Sequence, residues 1–292
     1  MNEGDFDFNI TVVGLGLIGG SYAKALSKLK PKMLYGIDVN KESLENALKM
    51  GIIDQGFTDG CIALKKSHLI IIALYPNDAI NFIRDNIQNI NPGSIITDTC
   101  GLKQNIIERV NSILPDTIEF VGGHPIAGKE SQGFRCSSEK IFLDTNYIIT
   151  PTPKNNEKNI KLIENMAKAI GCKNVVRISP AKHDKIISLT SQLPHIIAVT
   201  LMNSYIDSDI GKSFIGGSYI DATRVATINI KLWIELITEN SDNLIIEIEK
   251  FENTLAKLKQ AIKGKDNSTL GDILASSSLK RKRMLVNENP KH

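Results

Sequence analysis

Residues 11–21 read Thr-Val-Val-Gly-Leu-Gly-Leu-Ile-Gly-Gly-Ser. Gly14, Gly16 and Gly19 form the pattern G-x-G-x-x-G, with Leu17 and Ile18 between the last two glycines. Apolar residues on either side place it between a strand and the start of a helix. In that setting the glycines permit a tight turn, close approach of backbone to a pyrophosphate, and helix–sheet packing. The free N–H groups and positive dipole end of the helix then face the phosphates. Such a fingerprint also calls for an acidic residue about 20 residues on, at the end of the second strand. Leu-Tyr-Gly-Ile ends at Asp38. A carboxylate there accepts hydrogen bonds from ribose hydroxyls and repels a 2′-phosphate, which favours NAD over NADP. Helix capping is the plainer role for Asp38, and Asn40 could serve it equally well.

Outward from this motif, short apolar runs alternate with amphipathic stretches. Strands are expected at Phe8–Val13, Met33–Ile37, His68–Leu74, Ser94–Thr97, Glu119–Val121, Tyr147–Thr150 and Val175–Ile178. Helices are expected at Ile18–Lys30, Lys41–Met50, Asn77–Asn86, Gln104–Leu114 and Glu157–Ile170. This rhythm predicts an α/β fold, a Rossmann-type doubly wound and mostly parallel sheet. From Pro180 onward the pattern becomes wholly helical. Leu244, Ile248, Phe251, Leu255, Leu258 and Ile262 recur at helical spacing. Asp266, Asn267 or Ser268 is placed to cap a last helix. The expected division is a dinucleotide-binding domain over 1–178 and an all-helical substrate and dimerisation domain over 179–292.

Composition excludes several classes. Thirty-five basic against 32 acidic residues give a net charge of +3, too balanced to point to nucleic acid or a membrane surface. The basic run Lys280–Arg283 reads as a solvated helix face. Four dispersed cysteines and five histidines show no metal-ligand spacing, so no metal is expected. The cysteine usage suits a reducing, cytoplasmic compartment. No signal peptide and no apolar run of membrane-spanning length are expected.

Five segments carry a resemblance. GLGLIGGS (14–21), DTCGLK (98–103), VGGHPIAGKESQGF (121–134), SQLPHIIA (191–198) and GGSYIDATRVA (216–226), followed by Leu232-Trp233, stand in an order that resembles the prephenate dehydrogenase family. The resemblance runs from about Ile10 to Asn240. It implies NAD-dependent oxidative decarboxylation of prephenate to 4-hydroxyphenylpyruvate on the route to tyrosine, or of arogenate to tyrosine. It further implies His124 as the group that takes the substrate's hydroxyl proton, a task suited to a neutral imidazole. A structural histidine bonded to backbone is the alternative, and the flanking Gly122, Gly123 and Pro125 read as an irregular loop, which favours function. Arg224, read as early in a helix after the glycine-rich turn that opens GGSYID, is implied as the clasp for a substrate carboxylate, with a surface ion pair to Asp221 or Glu235 as the alternative. His195 is placed near substrate or nicotinamide and Glu130 near the site's mouth. His183 has a capping or interdomain role as an equal alternative.

The chain departs from the family twice. Gly101 stands where a serine commonly assists the histidine, leaving Thr99 or a water to supply a hydroxyl. Ile220 stands where many relatives carry a basic residue. Cys100, beside this segment, is read as a small buried thiol. Trp233 is read as core or as a neighbour of the site. The competing classes are a β-hydroxyacid dehydrogenase or imine reductase, which would not require His124, and a protein that binds NAD(H) without turnover. A homodimer through the helical part is expected.

Overall fold

The computed structural model describes residues 6–129, 131–205 and 209–288. The chain divides into two compact units, Met1–Ser241 and Asp242–His292.

The first unit is built on eight strands: β1 Asn9–Val13, β2 Met33–Ile37, β3 Gln55–Phe57, β4 Leu69–Ile72, β5 Ile95–Asp98, β6 Glu119–Pro125, β7 Asn146–Thr150 and β8 Asn174–Arg177. Their order is β3-β2-β1-β4-β5-β6-β7-β8. All pairs are parallel except β6 with β7. Interleaved are α1 Leu17–Ser27, α2 Lys41–Lys49, α3 Ala63–Lys66, α4 Pro76–Asn86, α5 Gln104–Ile113 and α6 Glu157–Ala169. The mostly parallel sheet matches the sequence expectation. Strand β3 and the single turn α3 were not foreseen, being too short and too polar to register as periodic segments.

Alternation along the strands divides the core between the two sheet faces. Ile10 and Val12 of β1 and Leu69 and Ile71 of β4 pack with Tyr22 and Leu26 of α1 and Ile163 of α6 on one side. Val13, Ile70 and Ile72 face the other way, among Ile80 and Ile83 of α4 and Ile106 and Val110 of α5. The apolar run of β4 is thus buried on both faces, as its composition implies.

Beyond β8 the described residues are helical: α7 Pro180–Ile187, a π-helical turn Ser188–Gln192, α8 Leu193–Asn203, α9 Asp209–Lys212, α10 Gly217–Thr223, a 3-10 turn Arg224–Ala226, and α11 Ile230–Glu239. Pro194 has no N–H and its ring crowds the carbonyl of the preceding turn, so a widened turn just before it relieves both defects. The run Pro180–Asn203 is, by length and composition alone, long and apolar enough to cross a membrane. The sequence expectation of no such run is therefore corrected. Only 22% of its most apolar window is buried, yet Ser188 and Gln192 turn inward and are covered.

The second unit contains α12 Ser241–Gly264 and α13 Asn267–Glu288. Asp266 caps the latter by accepting the Thr269 N–H at 3.1 Å. On the predicted stripe of α12, Phe251, Leu255 and Ile262 are exposed. The basic run of α13 is exposed as well, as expected.

The glycine loop gives the first test of this packing. A Cβ on Gly19 would lie 1.7 Å from the Gly14 carbonyl oxygen, a backbone atom, whereas one on Gly16 would meet nothing within 4 Å. Gly19→Ala is expected to cost about 1–3 kcal/mol or more by overpacking, with Gly16→Ala close to wild type. Thermal unfolding of the two variants side by side checks the contrast.

Candidate active site

Strand β1 delivers the chain into the glycine loop at its carboxyl end, where ligands bind in open α/β sheets. Gly14 takes φ +84°, and a Cβ there would meet the Ala73 carbonyl oxygen at 2.6 Å. Gly16 precedes α1 with no side-chain cap, and the first turn of α1 holds no acidic residue. Leu17 and Ile18 are half-buried and pack on the core while their backbone opens the helix. Asp38, at the end of β2, accepts the Leu15 N–H at 2.6 Å and the Asn40 N–H at 2.7 Å. Asn40 is the residue that caps α2, so the capping alternative for Asp38 falls away. Open space over Gly16, an uncapped helix start and a half-buried carboxylate tied to the loop together fit a dinucleotide.

A second constellation lies along the same sheet edge. Asp98 ends β5, and its carboxylate forms a wholly buried ion pair with Lys103. Asp98 also accepts the N–H of Cys100 at 3.0 Å and of Gly123 at 3.1 Å. Lys103 Nζ donates to the Gly123 carbonyl at 2.7 Å. Both backbone polar groups of Gly123, the residue before His124, are therefore held by one charge pair. Sequence reasoning gave neither Asp98 nor Lys103 a role, although both lie in a quoted segment.

His124 was expected in an irregular loop. It lies instead within β6, opposite Ile148 of the antiparallel neighbour β7. Gly122, Gly123 and Pro125 do not break the strand because β7 supplies ladder partners up to Pro125. His124 Nδ1 is 2.9 Å from His183 Nε2, and His183 Nδ1 is 2.7 Å from Asp184 Oδ1. The Asp184 carboxylate further accepts the N–H groups of Lys103 (2.8 Å) and Gln104 (2.9 Å), at the start of α5. Enclosure by protein holds His124 well below the ordinary histidine value, reinforced by His183 and Lys103. Burial also lowers His183, against the opposing pull of Asp184. The sequence proposed a Thr99 hydroxyl or a water beside His124; the structure places His183 against Nδ1.

Thr99 and Gly101 lie on the half-buried segment following β5. A Cβ on Gly101 would meet only the Leu236 side chain, at 3.6 Å. Cys100 is buried and its thiol is pushed up, first by burial and then by Asp98, which suits an inert thiol rather than a nucleophile.

From the helical side, His195 of α8 directs Nδ1 at the Ser191 carbonyl (2.8 Å) and stacks on Trp233 of α11 with centroids 4.0 Å apart. Trp233 is half-buried, not part of the closed core. Arg224 was expected early in a helix. It lies just after α10, where Thr223 ends the helix and a 3-10 turn begins, and that turn packs on α8. Its side chain is exposed. Ile220 is exposed on α10. Glu130 lies outside the described residues. Helix α11 docks on the start of α4: Glu235 accepts the Asn77 N–H, Asn229 donates to the Tyr75 hydroxyl at 2.6 Å, and Lys231 pairs with Asp78 at 2.9 Å. Among the described residues no group of histidines, cysteines and carboxylates is arranged to hold a metal ion.

Comparison with known proteins bears on this arrangement. Residues 22–176 match the family model described as prephenate dehydrogenase, nucleotide-binding domain, and residues 179–276 match prephenate dehydrogenase, dimerization domain. The chain is 30% identical over 267 residues to prephenate dehydrogenase of Bacillus subtilis, covering 89% of this chain and 72% of that one. It is 29% identical over 270 residues to cyclohexadienyl dehydrogenase of Zymomonas mobilis, covering 90% and 91%. The solved prephenate dehydrogenase of A. aeolicus, in complex with hydroxyphenyl propionate and NAD+, superposes with a TM-score of 0.87 at 29% identity, covering 95% of this chain and 98% of that one.

The depressed histidines give a signed pH dependence. Below the ordinary value of 6.5, the unfolded chain takes up protons that folded His124 and His183 still refuse. Their contribution to stability is therefore complete above that pH and lost as pH falls beneath it. Wild-type Tm is expected to drop between pH 7 and pH 5 more steeply than that of His124→Asn, as scanning calorimetry would read.

Proposed function

The chain belongs to the prephenate dehydrogenase family, and on that footing we propose that it oxidatively decarboxylates prephenate to 4-hydroxyphenylpyruvate. As a member it is an NAD-dependent oxidoreductase. The observation that carries the reading is His124, bonded to His183 and preceded by Gly123, which a buried charge pair holds, at the carboxyl end of the sheet that also carries the dinucleotide loop.

Gly14, Gly16, Leu17, Ile18 and Gly19 would hold the pyrophosphate of NAD at the start of α1, and Asp38 would accept from its ribose hydroxyls. NAD, when bound, supplies the acceptor for the hydride lost from the substrate's carbinol carbon. His124 accepts the hydroxyl proton as that carbon becomes a carbonyl. The bond from the ring to its carboxylate then breaks, carbon dioxide leaves, and the bond's electron pair enters the ring, which becomes aromatic. The proton held on His124 returns to the new phenolate oxygen, so no proton is gained or lost overall. Arg224 clasps the side-chain carboxylate bidentately, His195 on its Trp233 platform faces the substrate region, and Thr99, Gly101 and Glu130 line the site.

Residues 1–178 serve as the cofactor domain and 179–292 as the substrate and dimerisation domain, a division supported by the spans of the two family models. A second copy covers apolar surface of the helical part: Leu189, Phe214 and Ile234 are exposed in the first unit, and Leu255 and Ile262 in the second. That assignment gives the long apolar run of α7 and α8 a protein partner rather than a bilayer. A cytoplasmic location is supported by four free cysteines, the state of a reducing compartment.

NADH formation with prephenate and NAD tests the assignment. His124→Asn is expected to lower kcat by about 10²–10⁴-fold and Arg224→Ala to raise KM by about 10–100-fold, as loss of hydrogen bonds to a charged group. Turnover of arogenate alone would move the substrate to the amino analogue. Turnover of neither, with NADH still bound, would remove the assignment.

A further inference from the structure

We infer that His183 and Asp184 act as a positioning relay that fixes His124 with its proton on Nδ1 and its lone pair on Nε2. The inference rests on His124 being the base, as proposed above.

Proton direction follows from what each group can give. A carboxylate only accepts, and Asp184 already takes two backbone N–H groups from the start of α5. The 2.7 Å contact with His183 Nδ1 therefore carries the imidazole's proton. Neutral His183 is left with a lone pair on Nε2. The 2.9 Å contact between that nitrogen and His124 Nδ1 needs one proton, which must come from His124. Neutral His124 is then an acceptor at Nε2, as removal of a hydroxyl proton requires.

The charged groups around the two rings agree. The charge of Lys103 opposes a positive charge on either ring; burial does the same. Asp98, which also faces His183, has its charge matched by Lys103 within hydrogen-bond reach. The relay is held as well as formed: Asn240 Nδ2 donates to the Asp184 carbonyl at 3.0 Å and to Gln192 Oε1 at 2.6 Å. A doubly protonated His183 would donate from both nitrogens, and His124 could meet it only with its proton moved to Nε2, the form unable to accept. His183 is a positioning residue; it touches His124 and acts through it.

The test is histidine-selective nitrogen-15 NMR on the full-length protein without ligands at neutral pH, with His124→Asn identifying the His124 signals. It is paired with steady-state kinetics of His183→Leu and His183→Gln. The glutamine carbonyl can stand where Nε2 accepts, and leucine cannot. Wild-type His124 is expected as the Nδ1–H form. His183→Leu should lose that preference and drop kcat about 10²-fold, with KM within about threefold. His183→Gln should restore the tautomer and bring kcat to within about tenfold of wild type. An Nε2–H His124 in the wild type overturns the relay. So does wild-type kcat in His183→Leu beside an inactive His124→Asn. If His124→Asn itself turns over, the assignment of the base fails, and the tautomer readout still decides the relay. If His183→Leu does not fold, the wild-type spectrum and His183→Gln decide it.

Discussion

Asp98 and Lys103 carry opposite charges with no exposed surface between them, and the site's backbone hangs on that pair. Burying two charges is costly, and their attraction offsets the cost only where the remaining hydrogen-bonding capacity is used. Here it is used on the backbone. The carboxylate holds the N–H groups of Cys100 and Gly123, and the ammonium holds the Gly123 carbonyl. Parallel pairing of β5 with β6 ends at Val121, and antiparallel pairing with β7 takes over at Gly122. The charge pair sits at this change of direction and anchors the strand from the side β5 no longer reaches. Deleting either partner would strand the other charge, a loss of about 3–5 kcal/mol by precedent for buried pairs.

The glycine loop and His124 share one end of the sheet for a reason rooted in topology. Parallel strands bring their carboxyl ends to the same side, so β1, β2, β5 and the turning point of β6 deliver Gly14, Asp38, Asp98 and His124 together. The two families of groups are held differently. The glycine loop is shaped by absence of side chains: Gly14 crowds the Ala73 carbonyl and Gly19 crowds Gly14. His124 is shaped by the charge pair that holds Gly123 before it and by the hydrogen bond from its Nδ1 to His183.

What could be read in the sequence divides along the same line. Local signals were legible. The glycine spacing, Asp38, the doubly buried strand around Ile70 and Ile71, and the stripe on α12 all lie within a short window of chain. Contacts made by residues far apart in sequence were not. Nothing near His124 announces that β7 will pair with it, so a Gly-Gly-His-Pro stretch reads as loop. His183 was legible as a residue of interest, but its bond to His124 spans 59 positions, and only the fold brings the two together. The apolar run through α8 was passed over because Ser188, Thr190, Ser191, Gln192 and His195 interrupt it. The structure shows Ser188 and Gln192 buried and Gln192 bonded to the Leu236 carbonyl, which leaves the remaining surface more apolar than the composition suggests.

The connection between the sheet and the helices that follow it runs through His124. His124 belongs to the sheet, while His183 and Asp184 belong to α7, the first helix after β8. Asp184 also holds the start of α5 by two N–H groups, so displacing α7 from the sheet would uncap that helix and remove the partner of His124 in one movement. Uncapping alone costs about 0.5–2 kcal/mol, and a lone imidazole is free to exchange tautomers. In the mechanism proposed above, the protonation pattern of His124 is thereby a property of the docked helix, not of the strand that carries the residue. Helix α11 adds further contacts with the nucleotide-binding part, Glu235 on the start of α4 and Asn229 on Tyr75. A fold that builds the surroundings of His124 across such a seam makes packing of the helical part a condition of the chemistry proposed for the nucleotide-binding part.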